Sequence, residues 1–272
     1  MGEPKHNPNE GREELKVPRP YTDPMNSHRS GLGGLFETVL RRFKNFVHFV
    51  VMIPLYIVGC AIIGTAAAPG VAVAEWIMNL ASSQPTLLRY SINGFAFACG
   101  YFTYGFTMLF MIPLVNLILH TKPHAWRGPY YSLEVIRWYI HNGMTYLVRY
   151  TFLELVTPTP FNLLFYKMMG MKIGKGTAIN STCISDPAMI ELGDQVTIGG
   201  SATIIAHYAQ GGFLVLAPVK IGNRATIGLR ATIMGGVEIG ESAKIMPNSM
   251  VLPRTKVPAG ETWGGVPAQK IK

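Results

Sequence analysis

The sequence predicts a chain in two parts: an α-helical membrane hairpin with an interfacial helix, followed by a mainly β region that coils as a parallel β-helix. Three observations predict this fold: two long apolar runs, a six-residue repeat near the end of the chain, and a low content of charged residues. Hydrophobic residues make up 49% of the 272 residues and charged residues 14%, roughly half the usual share of charge in a soluble domain. Part of the chain is therefore expected to lie in lipid.

Two apolar runs, at residues 47–69 and 90–120, are long enough to span a bilayer. Each exceeds the roughly 20 apolar residues that cross the hydrocarbon core, and neither has the polar face of a soluble helix. A two-helix transmembrane hairpin is therefore predicted over residues 41–122, with a connection at about 69–90.

Basic residues flank the outer ends of the two runs: Arg41, Arg42, Lys44, Lys122 and Arg127. Because positive residues stay cytosolic, both termini and the β region are expected in the cytoplasm, with the spans in a bacterial inner membrane. Residues 1–40 are polar, rich in Pro and Gly near the start, and unlike a secretory signal. They are predicted to form a flexible tail.

Residues 123–172 are predicted to form amphipathic, interfacial helices and a linker. Within 131–156, polar side chains recur every three or four residues, on one side of a helix: Glu134, Arg137, His141, Thr145 and Arg149. Two interpretations stay open. The helix either lies along the lipid headgroups or is embedded with its polar stripe lining a substrate path, which would also allow transport or lipid handling.

Residues 173–272 repeat every six positions, as in "IGNRATIGLRATIMGGVEIG" at 221–240. The first position is aliphatic, the fifth is mostly small and the second is often Gly. An α-helix would scatter a six-residue repeat around its axis, whereas six is three strand periods and returns each aliphatic residue to one face. Short strands joined by turns, with Gly or Asn supplying the turn conformation, stack into a parallel β-helix.

The segments "IGNRATIGLRATI", "VEIGESAKI" and "WGGVPAQKI" resemble the hexapeptide-repeat acyltransferases. The resemblance covers about 173–272 and implies a left-handed parallel β-helix. It also implies a homotrimer with acetyl-CoA, or another acyl-CoA, held as co-substrate in a groove between subunits, and no metal. Membrane-anchored relatives, including the tail regions of some peptide synthetases, have a similar layout.

The repeat breaks between Ile204 and Ile221, where "AHYAQGGFLVLAP" is expected to leave the coil as a loop. His207 begins this loop and is the last histidine of the chain. The resemblance implies that it is the general base, and an imidazole with a pKa near 6.5 suits that role at neutral pH. An ordinary corner histidine is the alternative.

A second break surrounds Asp186, which could orient His207 if the coils bring them together; Asp-Pro is also a strong turn former. Asp186 and Tyr208 are the candidate acceptor-binding residues. The resemblance places Lys270 at the phosphate end of coenzyme A, although Gln269 stands directly after Pro-Ala, where a basic residue is common. The other candidate cofactor-binding residues lie in the later coils: Arg230, Gly235, Lys244 and Arg254.

Several functions are excluded or disfavoured. The net charge of +9 is scattered, without the dense basic stripe that nucleic acid binding needs. Cys60, Cys99 and Cys183 show no metal or disulfide spacing. A γ-class carbonic anhydrase shares the fold but needs three histidines around zinc. The repeat region contains only His207, so this function is disfavoured. The sequence therefore favours a membrane-anchored acetyltransferase acting on a hydroxyl or amine of a membrane-proximal acceptor; a non-catalytic trimeric scaffold is the alternative.

Overall fold

The computed structural model describes residues 25–272, without the side chains of 45–48 and 51. The predicted flexible tail lies outside the described residues up to position 24. The described chain forms two compact units. A helical unit comprises residues 25–122 and 136–156, and a β unit comprises residues 123–135 and 157–272.

The helical unit contains one helix more than the sequence analysis predicted. Its helices are α1 (Gly31–Arg42), α2 (Lys44–Leu80), α3 (Thr86–Ile118) and most of α4 (Leu133–Thr151), followed by a 3-10 turn at Leu153–Val156. Helix α1 begins in the segment assigned to the tail, residues 1–40, and ends two residues beyond it. Three glycines in its first four residues obscured the helical spacing of the apolar side chains that follow, Leu35, Phe36 and Val39.

The connection between the long helices is much shorter than predicted. Helix α2 continues through Pro69 to Leu80, and α3 begins at Thr86, so only residues 81–85 link them. Residues 71–80 contain neither Gly nor Pro, and a single proline in a long apolar helix does not end it.

Both long helices could cross a bilayer by length and composition. The stretches Met52–Leu80 and Thr86–Ile118 are the candidate spans, and 22% and 33% of their most apolar windows are buried. Most of their apolar side chains therefore face outwards. The two helices touch through small residues: a Cβ added to Gly100 would lie 2.8 Å from the carbonyl oxygen of Gly70 and 3.2 Å from the Cβ of Ala74.

The polar stripe of α4 is divided in the structure. Arg137 is exposed, but His141 and Thr145 are buried. His141 Nδ1 lies 2.8 Å from Asn116 Oδ1 on α3. The middle of the stripe therefore packs against a neighbouring helix, unlike a stripe that faces headgroups along its whole length.

The β unit contains helix α5 (Pro160–Met168), a 3-10 turn at Pro187–Met189 and eighteen short strands. The strands are β1 (Trp126–Pro129), β2 (Lys172–Ile173), β3 (Ala178–Ile179), β4 (Ile184–Ser185), β5 (Ile190–Leu192), β6 (Thr197–Ile198), β7 (Thr203–Ile205), β8 (His207–Gln210), β9 (Phe213–Leu216), β10 (Val219–Ile221), β11 (Thr226–Ile227), β12 (Thr232–Ile233), β13 (Glu238–Ile239), β14 (Lys244–Ile245), β15 (Met250–Val251), β16 (Lys256–Val257), β17 (Thr262–Gly264) and β18 (Gln269–Lys270).

Most of these strands form three sheets, and within each sheet strands from successive coils lie side by side. The first contains β2, β5, β10, β13 and β16; the second β3, β6, β11, β14, β17 and β18; the third β4, β7, β12 and β15. Every pairing within them is parallel except β17 with β18. Because the chain visits the three sheets in turn, it forms a triangular parallel β-helix, as predicted. Its left hand stays a prediction.

The six-residue repeat accounts for the interior of the β-helix. The first-position residues Ile221, Ile227, Ile233 and Ile239 are at most 3% exposed. Alanines at the fifth position are completely buried at the corners: Ala202, Ala225, Ala231 and Ala243. Both predicted roles are confirmed.

Glycine at the second position has a role that the sequence analysis assigned wrongly. In the regular hexads the left-handed turn residue is the fourth, and many of these residues are not Gly: Gln195, Ser201, Arg224, Arg230, Ser242, Asn248 and Arg254. Second-position glycines instead lie against the next coil. A Cβ on Gly228 would sit 2.5 Å from the nitrogen of Pro247, since coils stack at the strand spacing of about 4.8 Å.

We therefore expect Gly228→Ala to lower the free energy of unfolding by about 1–3 kcal/mol, because a methyl group would push two coils apart. Gly200→Ala is the matched control, since the nearest atom to its Cβ would be the end of the flexible Leu229 side chain, at 3.0 Å, and the next, on Asn180, is at an ordinary contact distance of 3.6 Å. Thermal unfolding followed by circular dichroism measures both. Equal melting temperatures for the two variants would contradict the close-approach explanation.

Candidate active site

The repeat breaks twice at one corner of the β-helix, where the chain passes from the third sheet to the first. In one coil the corner is the 3-10 turn at Pro187–Met189. In the next it is a projection over residues 206–218 that contains β8 and β9. Both irregular stretches noted in the sequence thus lie one above the other.

The projection is a β-hairpin and not the loop that was predicted. Strands β8 and β9 pair antiparallel, with Tyr208 opposite Val215. Gly211 and Gly212 between them have φ values of 57° and 81°, which is the conformation that a two-residue hairpin turn requires. The Gly-Gly pair is the sequence signal that was overlooked.

Strand β1 extends the hairpin to three strands. It pairs antiparallel with β9, so Trp126 stands opposite Leu216 and Leu216 opposite His207. The guanidinium carbon of Arg127 lies 5.8 Å from the centre of the Phe213 ring, a cation–π distance. Pairing across about 90 residues leaves no local signal, and sequence analysis missed this strand.

Asp186 and His207 meet at this corner. Asp186 Oδ2 lies 2.6 Å from His207 Nδ1 and also accepts a hydrogen bond of 3.0 Å from the backbone N–H of Ala206. The Asp186 side chain is fully buried, whereas that of His207 is 22% exposed. A carboxylate on Nδ1 favours the neutral tautomer with its proton there, which leaves the basic lone pair on Nε2.

Asp186 takes part in a turn as well as in the contact with His207. Its backbone is left-handed, with φ 60° and ψ 48°, and its carbonyl oxygen accepts the N–H of Met189 at 2.8 Å. It therefore starts the turn at Pro187, and this turn directs its carboxylate towards the next coil. A turn residue and a partner for His207 are compatible.

Three further candidate residues lie at the same corner: Tyr208, Gly235 and Arg254. A Cβ on Gly235 would lie 3.1 Å from the backbone nitrogen of His207 and 3.2 Å from Cδ1 of Tyr208. The backbone N–H of Arg254 donates to the carbonyl of Gly235 at 3.1 Å. One coil below and two coils above the hairpin thus contribute to one cluster around His207.

The remaining candidates lie elsewhere on the β-helix. Arg230 is at the corner between the second and third sheets, where its N–H donates to Gly200. Lys244 is exposed on the second sheet. A single chain does not bring these residues to His207.

Lys270 is already paired. Its Nζ lies 2.6 Å from Oε1 of Glu261. The hydrogen bond from Lys270, followed by that from the Trp263 indole, holds the pKa of Glu261 below its usual value. A phosphate that binds Lys270 would have to compete with this carboxylate.

Metal binding finds no support in the described residues. Within 25–272, no group of three His, Cys, Asp or Glu side chains is placed to hold a metal ion.

No family model matches the chain.

The chain is similar in sequence to part of several known proteins. It is 27% identical over 147 residues to a delta-poly-L-ornithine synthetase of Acinetobacter baumannii, covering 54% of this chain and 11% of that protein. It is 29% identical over 144 residues to YvoF of Bacillus subtilis, a protein named as an acetyltransferase, covering 49% of this chain and 83% of YvoF.

Two other similarities cover part of the chain. Gamma carbonic anhydrase 2 of Arabidopsis thaliana mitochondria is 29% identical over 104 residues, covering 38% of this chain and 36% of that protein. A solved hexapeptide-repeat acetyltransferase of Vibrio cholerae, in complex with acetyl coenzyme A, has a TM-score of 0.42 and 19% identity over 57% of this chain and 96% of its own. Among the relatives in sequence, YvoF is named as an acetyltransferase, and the chain spans only a small part of the synthetase.

The Asp186 carboxylate leads to a prediction about stability. Asp186→Ala would leave the buried Ala206 N–H without this acceptor and place alanine in a left-handed conformation, so we expect a loss of about 1–3 kcal/mol. Asp194→Ala is the control: its carboxylate also accepts a backbone N–H, from Lys175 at 2.7 Å, but in an exposed turn where water can replace it. Thermal unfolding compares the two. Equal losses would show that the buried contact adds nothing.

Proposed function

We propose that this chain is a CoA-dependent acyltransferase of the hexapeptide-repeat class, most simply an acetyltransferase. The observation that carries the proposal is the contact of 2.6 Å between His207 and Asp186. It lies at a projection from an otherwise regular scaffold, where functional residues are usually found. The similarity to proteins named as acetyltransferases supports the same conclusion.

In the proposed reaction, His207 Nε2 removes the proton from a hydroxyl or amine of the acceptor. The acceptor atom attacks the thioester carbonyl of acyl-CoA, and the tetrahedral intermediate collapses with release of the CoA thiolate. The imidazolium then returns the proton to that sulfur, so the products are the acylated acceptor and CoA–SH. Asp186 stabilises the imidazolium and holds the ring orientation, and general base catalysis of this kind contributes about 10²–10⁴-fold.

The separated positions of the basic candidates suggest a shared site. Arg230 and Lys244 lie away from His207 within one chain, although both are candidates for binding the phosphates of coenzyme A. In a homotrimer, one subunit would supply the corner with His207 and its neighbour would supply these cations, as the family resemblance implies. Arg254 and Gly235 would contact the coenzyme from the side of His207.

The helical unit is proposed to anchor the enzyme. Helices α2 and α3 would cross a bacterial inner membrane as a hairpin, with both termini and the β-helix in the cytoplasm. Their outward-facing apolar side chains, such as Phe97, support this proposal, because water would not tolerate so large an apolar surface. An anchored enzyme suits a membrane-proximal or lipid-linked acceptor.

Activity of two variants tests the chemistry. We expect His207→Ala to reduce acceptor-dependent release of CoA from acetyl-CoA by about 10²–10⁴-fold, since it removes the base. Asp186→Asn keeps the shape of the side chain but removes its charge, so it should also lower kcat while leaving the affinity for acetyl-CoA nearly unchanged. The assay measures free thiol with a panel of soluble and lipid-linked hydroxyl and amine acceptors.

Lys244→Ala serves as the comparison, because Lys244 lies on another face and should affect the KM for acetyl-CoA more than kcat. If His207→Ala retains the parent rate, the catalytic assignment is wrong, and a non-catalytic trimeric scaffold becomes the better interpretation. Equal rates with soluble and lipid-linked acceptors would remove the argument for a membrane-bound acceptor.

Binding of the donor can be tested without an acceptor. We expect acetyl-CoA to raise the melting temperature of the purified protein, because a ligand that binds only the folded state stabilises it by mass action. Desulfo-CoA should produce a similar shift, whereas free acetate should produce none. Absence of a shift with acetyl-CoA at concentrations up to the millimolar range would contradict a CoA site.

A further inference from the structure

Helix α1 has an apolar face that is exposed in the described part of the chain. The face is formed by Leu32, Leu35, Phe36, Val39 and the adjoining Phe43, which are between 38% and 86% exposed. At 100° per residue these five side chains fall within a sector of about 100°. An apolar stripe of this width normally covers a core or another apolar medium.

The opposite face of α1 is covered by the residues that precede the helix. Glu37 and Arg41 form a buried ion pair of 3.0 Å on that face. Ser27 Oγ donates to Glu37 Oε2 at 2.7 Å, and Arg41 Nη1 donates to the carbonyl of Asn26 at 2.6 Å. The polar side of the helix is therefore packed against residues 25–29, which we call the clasp.

A glycine allows the clasp to lie this close. A Cβ on Gly34 would collide with the carbonyl oxygen of Arg29. Because the buried polar groups of Glu37 and Arg41 are bonded to each other and to the clasp, α1 and the clasp form one small folded element. The apolar face lies on the side of α1 away from the clasp.

Charge and chain continuity indicate what covers the apolar face. Helix α1 ends at Arg42, and α2, which contains the first candidate span, begins at Lys44. Arg42 and Lys44 are exposed and lie where the helix approaches that span. Apolar side chains bordered by basic residues next to a spanning helix match the boundary between acyl chains and anionic headgroups.

We propose that α1 lies flat in the cytosolic headgroup layer of the membrane, with Leu32, Leu35, Phe36 and Val39 inserted among the acyl chains. The clasp faces the water. This proposal rests on the membrane part of the proposed function and is independent of the acyl transfer. Residues 1–24 offer few apolar side chains to cover the face instead.

Spin-label accessibility in proteoliposomes tests the placement. The full chain, with Cys60, Cys99 and Cys183 replaced by Ala, is reconstituted into vesicles of phosphatidylethanolamine and phosphatidylglycerol. Single cysteines are introduced by Leu35→Cys on the apolar face, by His28→Cys on the clasp as the matched control, and by Phe97→Cys, well inside α3, as the lipid reference. Collision with oxygen reports lipid, and collision with a water-soluble nickel chelate reports water.

We expect the ratio of oxygen to nickel accessibility at position 35 to be several-fold higher than at position 28. It should be lower than at position 97, since an interfacial helix sits only about 5–10 Å into the boundary. A water-like ratio at position 35 with a lipid-like ratio at position 97 overturns the placement of α1 alone. Protection from both reagents at position 35 also overturns it, because protein then covers the face. A water-like ratio at position 97 contradicts the proposed spans themselves.

Discussion

The coil-to-coil spacing of the β-helix is the constraint on which the β unit depends. Each coil must lie one strand spacing from the next, about 4.8 Å. The three corners of a coil must therefore turn within a layer of that thickness. Gly228 shows how strict this is, because a single added carbon would meet the backbone of Pro247. Aliphatic residues inside, small residues at corners and glycine between coils are all consequences of that one distance.

The candidate active site occurs where the constraint is relaxed. Residues 206–218 leave the layer, and β8 and β9 form their own antiparallel pair. The coil below is also irregular at this corner, where the turn at Pro187–Met189 directs Asp186 to Nδ1 of His207. A repetitive scaffold thus stacks two irregular corners, and the chemistry that we propose is confined to them.

Sequence reasoning succeeded where a residue's role depends on its position in the repeat. The buried isoleucines and alanines followed from the period alone, and the break in the period located His207. The contact with Asp186 could be suggested but not decided, since it depends on how two irregular corners stack. Roles that depend on distant backbone were misassigned: the second-position glycines were taken for turn residues, and Gly34 gave no hint of the clasp. Helix α1 was missed because weak helix formers at its start hide a regular pattern that begins one turn later.

Strand β1 has a consequence for how the chain can be divided. The repeats appear self-contained in the sequence, yet the antiparallel sheet at the candidate site has its third strand in residues 126–129, ahead of α4. A fragment starting at residue 157 would retain every coil but would leave the outer edge of β9 unpaired, next to the buried side chains of Leu214 and Leu216. Unprotected edges of this kind recruit other chains and aggregate. The compact unit that contains the repeats is discontinuous in sequence, and we expect a fragment that holds the repeats alone to be prone to aggregation.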